Sequence, residues 1–438
     1  MHSETPIADG PKRAIVLGGG GFIGAACAAA LSTAGFDTIR VGRSPPVAYL
    51  SPDQWRTCDL TQLSDPDWRE LLSGADVIVS AAGALQDCGG DDLASIHFGL
   101  VRQLIANANE TALVIQISAV GVTQDASTAF LRTKAEGDAV LRDSALDWVI
   151  LRPGLVIGRA TYGGSAMLRA AAAMPVVGVE MAGNSQVQTV ALDDLAAAVV
   201  QAATGQIDSG TEADLVSPEM LSLSDVTRLM RGWLGFPPWR LMVSAGPSTM
   251  RLVAGVADML AWFGWRSPLR STGMKVLADG VTGDPSVWET AGGTPCRGLE
   301  QTLRAMPATV QDRWHAHAYL LAPLVFAVLS LFWIAAGLIG WWQEGAAMTV
   351  LTDAGWSDTA AKIAVRFGSF VDVALGVGMI WRRSARFALL GMILVTISYC
   401  FGASIWVPEL WLDPLGPMVK TIPAAILALV VLPMLDKR

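Results

Sequence analysis

Five short apolar runs punctuate the first third of the chain: Ile15 to Leu17, Thr38 to Gly42, Val77 to Ala81, Leu113 to Ser118 and Trp148 to Arg152. Stretches of helical spacing separate them, and short unbroken apolar segments alternating with helices mark strands covered on both faces. The pattern predicts an α/β fold with a doubly wound parallel sheet. From about Val190 the alternation loosens, and a helix starting near Ser222-Leu223-Ser224-Asp225 opens a segment of mixed character that runs to about Arg313. Beyond it, four apolar runs follow one another: Tyr319 to Trp342, Ile363 to Trp381, Phe387 to Val407 and Met418 to Leu435. Each has the roughly 20-residue length a helix needs to cross about 30 Å of hydrocarbon. An all-α bundle of four transmembrane helices is expected, and with it three regions, 12–220, 221–313 and 314–438.

Charge sorts the connections between these runs. Arg382, Arg383 and Arg386 fall between the second and third, whereas Glu344, Asp353 and Asp358, then Glu409 and Asp413, mark the other two. Basic loops stay on the cytoplasmic side, so both termini are expected there, in a multi-pass protein of a bacterial-type inner membrane. The opening stretch Met1 to Pro11 is polar and lacks the apolar core of a secretory signal, which keeps the first domain in the cytoplasm. Lys420, at the start of the fourth run, is placed to snorkel to the outer interface. Inside the second run, Arg366 and Asp372 need partners or a wet cavity. At a spacing of six they diverge by about 120° around the axis, so each is expected to pair elsewhere. The functional reading of these two is a polar site for a quinone head group or a proton; the structural one is a salt bridge that fixes packing. The segment Gly246 to Trp265 reads as an amphipathic helix on a membrane or over a pocket, or as a plain buried helix.

Composition narrows the class. Of 438 residues, 52% are hydrophobic and the mean hydropathy is +0.43, too apolar for a wholly soluble protein. Thirteen of the sixteen tryptophans lie from Trp233 onward, the residue type that favours the boundary of lipid and water. A net charge of -8 with four histidines and no basic patch excludes nucleic acid as a partner. The five cysteines, Cys27, Cys58, Cys88, Cys296 and Cys400, form no paired motif, so neither a disulfide framework nor a metal site is expected.

The first strand runs directly into glycines spaced G-x-x-G-x-x-G, in Gly18-Gly19-Gly20-Gly21-Phe22-Ile23-Gly24, and then into a helix. Such a loop holds a dinucleotide: Gly18 permits the tight turn, Gly21 lets the backbone approach the pyrophosphate, and Gly24 lets the helix pack close to the strand. The phosphates then meet the positive end of that helix. At the end of the second strand the chain reads Ile39-Arg40-Val41-Gly42-Arg43-Ser44, with no acid to bind the ribose hydroxyl of NAD. Arg43 is placed to pair with a 2'-phosphate, with Arg40 as a second contact, which favours NADP(H) over NAD(H).

In this order and spacing, further segments resemble the atypical or extended short-chain dehydrogenase/reductases of the NAD-dependent epimerase/dehydratase kind. The likeness covers about Arg13 to Ala203 and implies a Rossmann domain. Asp59-Leu60 resembles the pair that contacts adenine. Ser80-Ala81-Ala82-Gly83 resembles the loop under the nicotinamide ribose, and Arg152-Pro153 the segment beside the nicotinamide. The family's reaction centre uses a serine and a Tyr-x-x-x-Lys, the lysine lowering the tyrosine pKa so that the phenol passes a proton. Ser118 and Lys134 match, but Phe130 stands where the tyrosine belongs. A phenyl ring transfers no proton, so a proton would come from Lys134, water or another group, while Lys134 keeps its other family role of holding the ribose. Tyr162, just beyond Pro153, is a further candidate to face substrate.

The tail from about Asp312 resembles the DoxX-like membrane family, on topology and fusion order. Val310 to Trp314 reads as a short connector into the first run. Together these features imply a membrane-anchored NADP(H)-dependent oxidoreductase acting on a lipophilic small molecule or quinone, in contact with the lipid bilayer and open to membership of a membrane protein complex. The competing reading is a non-catalytic NADP(H)-binding scaffold or assembly subunit. A sugar-nucleotide epimerase or dehydratase comes third, because Phe130 is a direct objection to it.

Overall fold

The computed structural model describes residues 10–43, 54–86, 92–181, 185–265, 267–414 and 416–435. The chain divides into two compact units, Met1–Asp258 with Ser267–Ala316, and Met259–Arg266 with His317–Arg438.

The first unit is built on β1 (Arg13–Leu17), β2 (Asp37–Gly42), β3 (Trp55–Thr57), β4 (Val77–Ser80), β5 (Leu113–Ile117) and β6 (Asp147–Pro153), with a seventh strand at Thr211–Leu215. All pair in parallel, in the order β3-β2-β1-β4-β5-β6 followed by Thr211–Leu215. Successive side chains of a strand point to opposite faces, and both faces here are apolar. Ala14, Val16, Val77, Val79, Ile115 and Ile117 enter one core, while Ile15, Leu17, Ile78 and Val114 enter the other beside Trp68 and Leu104. This double burial is why the strands read as unbroken apolar runs. β3 and Thr211–Leu215 carry no such run, since each is short or mixed in polarity, and sequence periodicity did not predict them.

Helices α1 (Phe22–Thr33), α2 (Asp65–Leu72), α3 (Leu100–Asn107) and α4 (Ala129–Arg142) connect the strands, and α5 (Gly164–Ala172), α6 (Leu192–Ala203) and α7 (Leu223–Trp233) follow. Local chemistry fixes their starts. Ser64 and Asp67 form a reciprocal cap on α2, and Ser222 and Asp225 form one on α7. A π turn, Ser95–Gly99, leads into α3 and packs on α4, where Gly137 leaves room for the His97 carbonyl oxygen. The unit continues through α8 (Pro247–Trp262), which leaves it after Asp258, and through α9 (Ser271–Asp279), α10 (Ser286–Thr290) and α11 (Leu299–Ala305).

The second unit holds α12 (Val310–Trp342, from His317), α13 (Glu344–Asp353), α14 (Asp358–Gly378), α15 (Ala385–Trp406) and α16 (Pro417–Val431). Among the described residues three helices are long and apolar enough to cross a membrane: α12, α15 and the stretch Pro417–Leu435. That is one fewer than the sequence suggested. The remaining run became α14, whose helix carries Lys362 and Arg366 in its first half and Asp372 in its second. Two of these charges find partners: Arg366 pairs with Glu344 at 3.0 Å and the Tyr399 hydroxyl donates to Asp372 at 3.0 Å. Large apolar side chains such as Phe367, Phe387, Leu394 and Phe401 point outward, while small residues meet between helices. A Cβ on Gly376 would lie 2.8 Å from the Ile334 amide nitrogen. Close approach at small residues, with bulk facing outward, is the packing of helices in lipid.

Packing at Gly137 gives a direct test of the α4 contact. Gly137→Ala drives a Cβ into the His97 carbonyl oxygen and should destabilise the first unit by about 2 kcal/mol. Thermal unfolding followed by circular dichroism should show a lowered midpoint, and an unchanged midpoint would refute the contact.

Candidate functional site

Parallel register brings the predicted residues to one edge. Leu17 is aligned with Val41 and with Ser80, Ser80 with Gln116, and Ile117 with Leu151. The strand ends that lead into Gly18, Arg43, Ala81, Ser118 and Pro153 therefore share the carboxyl edge of the sheet. There the strand order reverses between β1 and β4, which opens the crevice in which such sheets take their ligands.

Gly18 has φ of +78°, and a Cβ on it would stand 2.7 Å from the Ala82 amide nitrogen. The Gly21 N–H donates to the Gly18 carbonyl at 2.9 Å, and a Cβ on Gly24 would collide with that same oxygen. No side chain caps the start of α1, and its first turn holds no acid. Phe22, Ile23 and Gly24 thus present the positive end of a helix without an anion of its own.

Around this loop the other candidates fall as follows. Arg43 comes directly after β2 and is exposed, while Ser44 to Asp53 lie outside the described residues. Asp59 accepts the Thr61 N–H at 3.1 Å and the Thr61 hydroxyl at 2.8 Å, and Leu60 is buried in the core. The Ala81 N–H donates to the Leu17 carbonyl at 3.0 Å, which holds Ala81, Ala82 and Gly83 beside the glycine loop. Pro153 is buried, and its carbonyl accepts the Val120 N–H at 3.2 Å. Tyr162 is exposed on the surface.

Lys134 is buried and donates to the Ile117 carbonyl at 2.9 Å. Burial holds its pKa below the usual lysine range, and the Asp138 carboxylate opposes that pull. The Ser118 hydroxyl donates to Asp138. Asp138 is wholly buried, its other oxygen has no hydrogen-bond partner, and burial raises its pKa. The Phe130 ring centroid lies 5.9 Å from the Lys134 ammonium and 5.5 Å from the His97 ring, which it meets edge-on.

His97, Asp138 and Trp55 were not found from sequence. Trp55 closes over the loop, its ring 2.9 Å from where a Gly20 Cβ would be. Asp138 had a signal, since it follows Lys134 by one helical turn on the same face. His97 had none. It is 2% exposed; its Nε2 accepts the Ala84 N–H at 3.3 Å, and its Nδ1 lies 2.9 Å from the Thr133 hydroxyl. Because a backbone N–H can only donate, Nε2 is bare and Nδ1 carries the proton. Burial, and secondarily the Lys134 charge, pull the His97 pKa down to about 3. A neutral imidazole thus ties the loop after β4 to the helix that carries Lys134.

Comparison with known proteins agrees with this geometry. Residues 18–206 match the NAD(P)H-binding family and residues 330–429 match the DoxX-like family. No curated protein matches the chain. Among solved structures, the chain is similar to the terminal R domain from the myxalamid PKS-NRPS biosynthetic pathway. The TM-score is 0.52 at 16% identity, over 72% of this chain and 92% of that one. It is also similar to MoeE5, solved with UDP-glucuronic acid and NAD, with a TM-score of 0.51 at 15% identity over 67% and 96% of the two chains. At these identities the likeness establishes the fold. The chain joins an NAD(P)H-binding domain with a Rossmann fold to a C-terminal DoxX-like domain, whose apolar helices associate it with a membrane.

Neutral His97 has a consequence for stability. In the unfolded chain it titrates near its ordinary 6.5, in the folded one near 3, so the unfolded state binds the extra proton between these values. Stability is complete above pH 6.5 and falls as pH drops through that window. From pH 7 to pH 5 the loss should approach about 2 kcal/mol. His97→Gln, which cannot titrate, should flatten this slope in thermal denaturation; an unaltered slope would show that other groups produce it.

Proposed function

We propose that the chain is a membrane-anchored NADP(H)-dependent oxidoreductase acting on a lipophilic, quinone-like substrate. The observation that carries this reading is a glycine loop at an uncapped helix start, combined with Phe130 beside Lys134 where a tyrosine would pass a proton. The cradle fits the cofactor class by its own geometry: glycines where a Cβ would strike Ala82 or the Gly18 carbonyl, and an uncapped helix start free of acids. Arg43 at the end of β2 supports the phosphorylated form, because a guanidinium pairs with a 2'-phosphate where NAD binders use a carboxylate.

When bound, the nicotinamide supplies the hydride. The side chains of this protein set which acceptor can take it. Phe130 holds no proton, His97 is neutral with its one ring proton directed at Thr133, and the Ser118 hydroxyl is engaged by Asp138. Lys134 remains as a buried cation with donor capacity beyond the Ile117 carbonyl. It orients the ribose and favours negative charge developing nearby. A quinone or conjugated alkene suits this centre, because hydride addition yields a stabilised anion that water protonates afterwards. The apolar helices of the second unit support a substrate drawn from lipid. Arg382, Arg383 and Arg386 between α14 and α15 support a cytoplasmic orientation of that turn, with the bacterial-type inner membrane as location. A second reading, an NADP(H)-binding scaffold without turnover, is favoured by the Ser118 to Asp138 bond, which takes the serine away from a substrate.

Fluorescence titration of the full chain in detergent distinguishes the cofactors. NADPH should bind more tightly than NADH, and Arg43→Ala should weaken NADPH by about tenfold or more while leaving NADH unchanged. Tighter binding of NADH would sink the Arg43 assignment. Menaquinone or ubiquinone analogues should then oxidise bound NADPH, followed at the nicotinamide absorbance band. Phe130→Tyr should alter that rate in an enzyme built around a phenyl ring, whereas no oxidation by any acceptor in either protein would move the assignment to the scaffold.

A further inference from the structure

Outside the nucleotide site, the second unit gathers an aromatic and basic cluster that the redox reading leaves unused. We propose that the turn between α14 and α15, together with the segment Met259 to Trp265, is a binding surface for anionic phospholipid headgroups.

The segment is held to the turn by its backbone and rings. The Trp265 indole N–H donates to the Ile380 carbonyl at 2.6 Å, and the Arg382 N–H donates to the Phe263 carbonyl at 2.9 Å. Phe263 meets Trp381 edge-on at 5.3 Å, and Trp265 lies against Phe326 at 4.8 Å. The Arg382 guanidinium stands 5.5 Å from the centre of the Trp265 ring and bonds the Leu435 carbonyl, closing the end of the last helix. This framework leaves apolar groups outside. Trp262 is 88% exposed, and Met259 and Leu260 of the same segment and Trp381 of the turn are exposed as well.

Charge and aromaticity together select the occupant. Arg383 in the turn and Arg386 in the first turn of α15 are exposed, and the sequence has no carboxylate between Asp372 and Glu409. Guanidinium groups bind phosphate oxygens in a two-pronged manner. Free phosphate would engage the arginines alone and leave Trp262, Met259 and Leu260 in water. A phospholipid engages both sets, since indole rings favour the headgroup layer and the aliphatic side chains reach the upper acyl region. The turn leads into α15, a helix long and apolar enough to cross a membrane, so its end meets headgroups in any case. Anionic lipid is chosen over zwitterionic lipid because basic residues at a membrane surface gain about 1 kcal/mol each from it.

The test uses the full chain in detergent with added phosphatidylglycerol or phosphatidylcholine, read by native mass spectrometry. Wild type should retain phosphatidylglycerol in preference. Arg383→Gln with Arg386→Gln should lower that retention by about fivefold for each charge removed, while NADPH titration stays unchanged and certifies folding. Trp262→Ser should reduce tryptophan quenching by lipids brominated near the headgroup, without loss of NADPH binding. Equal retention of both lipids by wild type, or displacement of phosphatidylglycerol by inorganic phosphate at matched concentration, would overturn the proposal. None of these outcomes depends on whether the first unit turns over substrate.

Discussion

The exit of β1 into α1 admits no side chain at Gly18 or Gly24, and the nucleotide site follows from that one steric limit. A Cβ at either position would strike backbone, Ala82 in the first case and the Gly18 carbonyl in the second. Backbone cannot yield as the tip of a flexible side chain does, so only glycine lets the helix start this close to the strand. The start of α1 is thereby fixed at the level of Leu17, which is aligned with Val41 and Ser80. Every residue at the sheet's carboxyl edge inherits its position from this alignment. The loop after β4 could not lie against Gly18 if that residue carried a side chain, and Ala81 could not then bond the Leu17 carbonyl.

Burying a lysine beside that edge imposes a second chain of consequences. An ammonium without partners in apolar surroundings would lose its proton or unfold the site. Lys134 is held by the Ile117 carbonyl and by the field of Asp138. Asp138 is itself wholly buried, and Ser118 supplies its hydrogen bond. The serine thus stabilises the counter-charge of the lysine, which accounts for its orientation without any role in a reaction. His97 belongs to the same arrangement, since a protonated imidazole near Lys134 would add a second buried cation. Its neutral form bonds Ala84 and Thr133 instead and holds Phe130 at its edge.

What the sequence made legible follows from how local each signal is. The glycine spacing, the double-sided apolar strands and the Ser222 cap are all written within ten residues, and each has its structural counterpart where periodicity or steric need put it. Trp55 and His97 touch the site through tertiary contacts with segments tens of residues away, so nothing in their own neighbourhoods announced them. The strand Thr211–Leu215 escaped for a related reason. It sits at the sheet edge beside β6, and an edge strand keeps Glu212 to pair with Arg142 at 2.9 Å, which breaks the apolar run that revealed the others. α14 shows the opposite difficulty. Its apolar positions promised a span, but the charges at Arg366 and Asp372 belong to pairs that only neighbouring helices could complete.

Both units supply a charged side chain with a partner from a different element. Lys134 of α4 takes a strand carbonyl, Arg366 of α14 takes Glu344 of α13, and Asp372 of α14 takes Tyr399 of α15. Removing one partner strands the other, and this costs more than the pair contributes. Paired charges of this kind are poor devices for stability, because well-packed apolar residues would serve as well or better. In the first unit the pairing is an argument about position, because it fixes Lys134 against the end of β5. In the second it is an argument about helix register, because each pair forms at only one alignment of its two helices. The two differ in the kind of partner: Lys134 has a backbone carbonyl and the field of a carboxylate one turn away, Asp372 a phenol hydroxyl from the next helix.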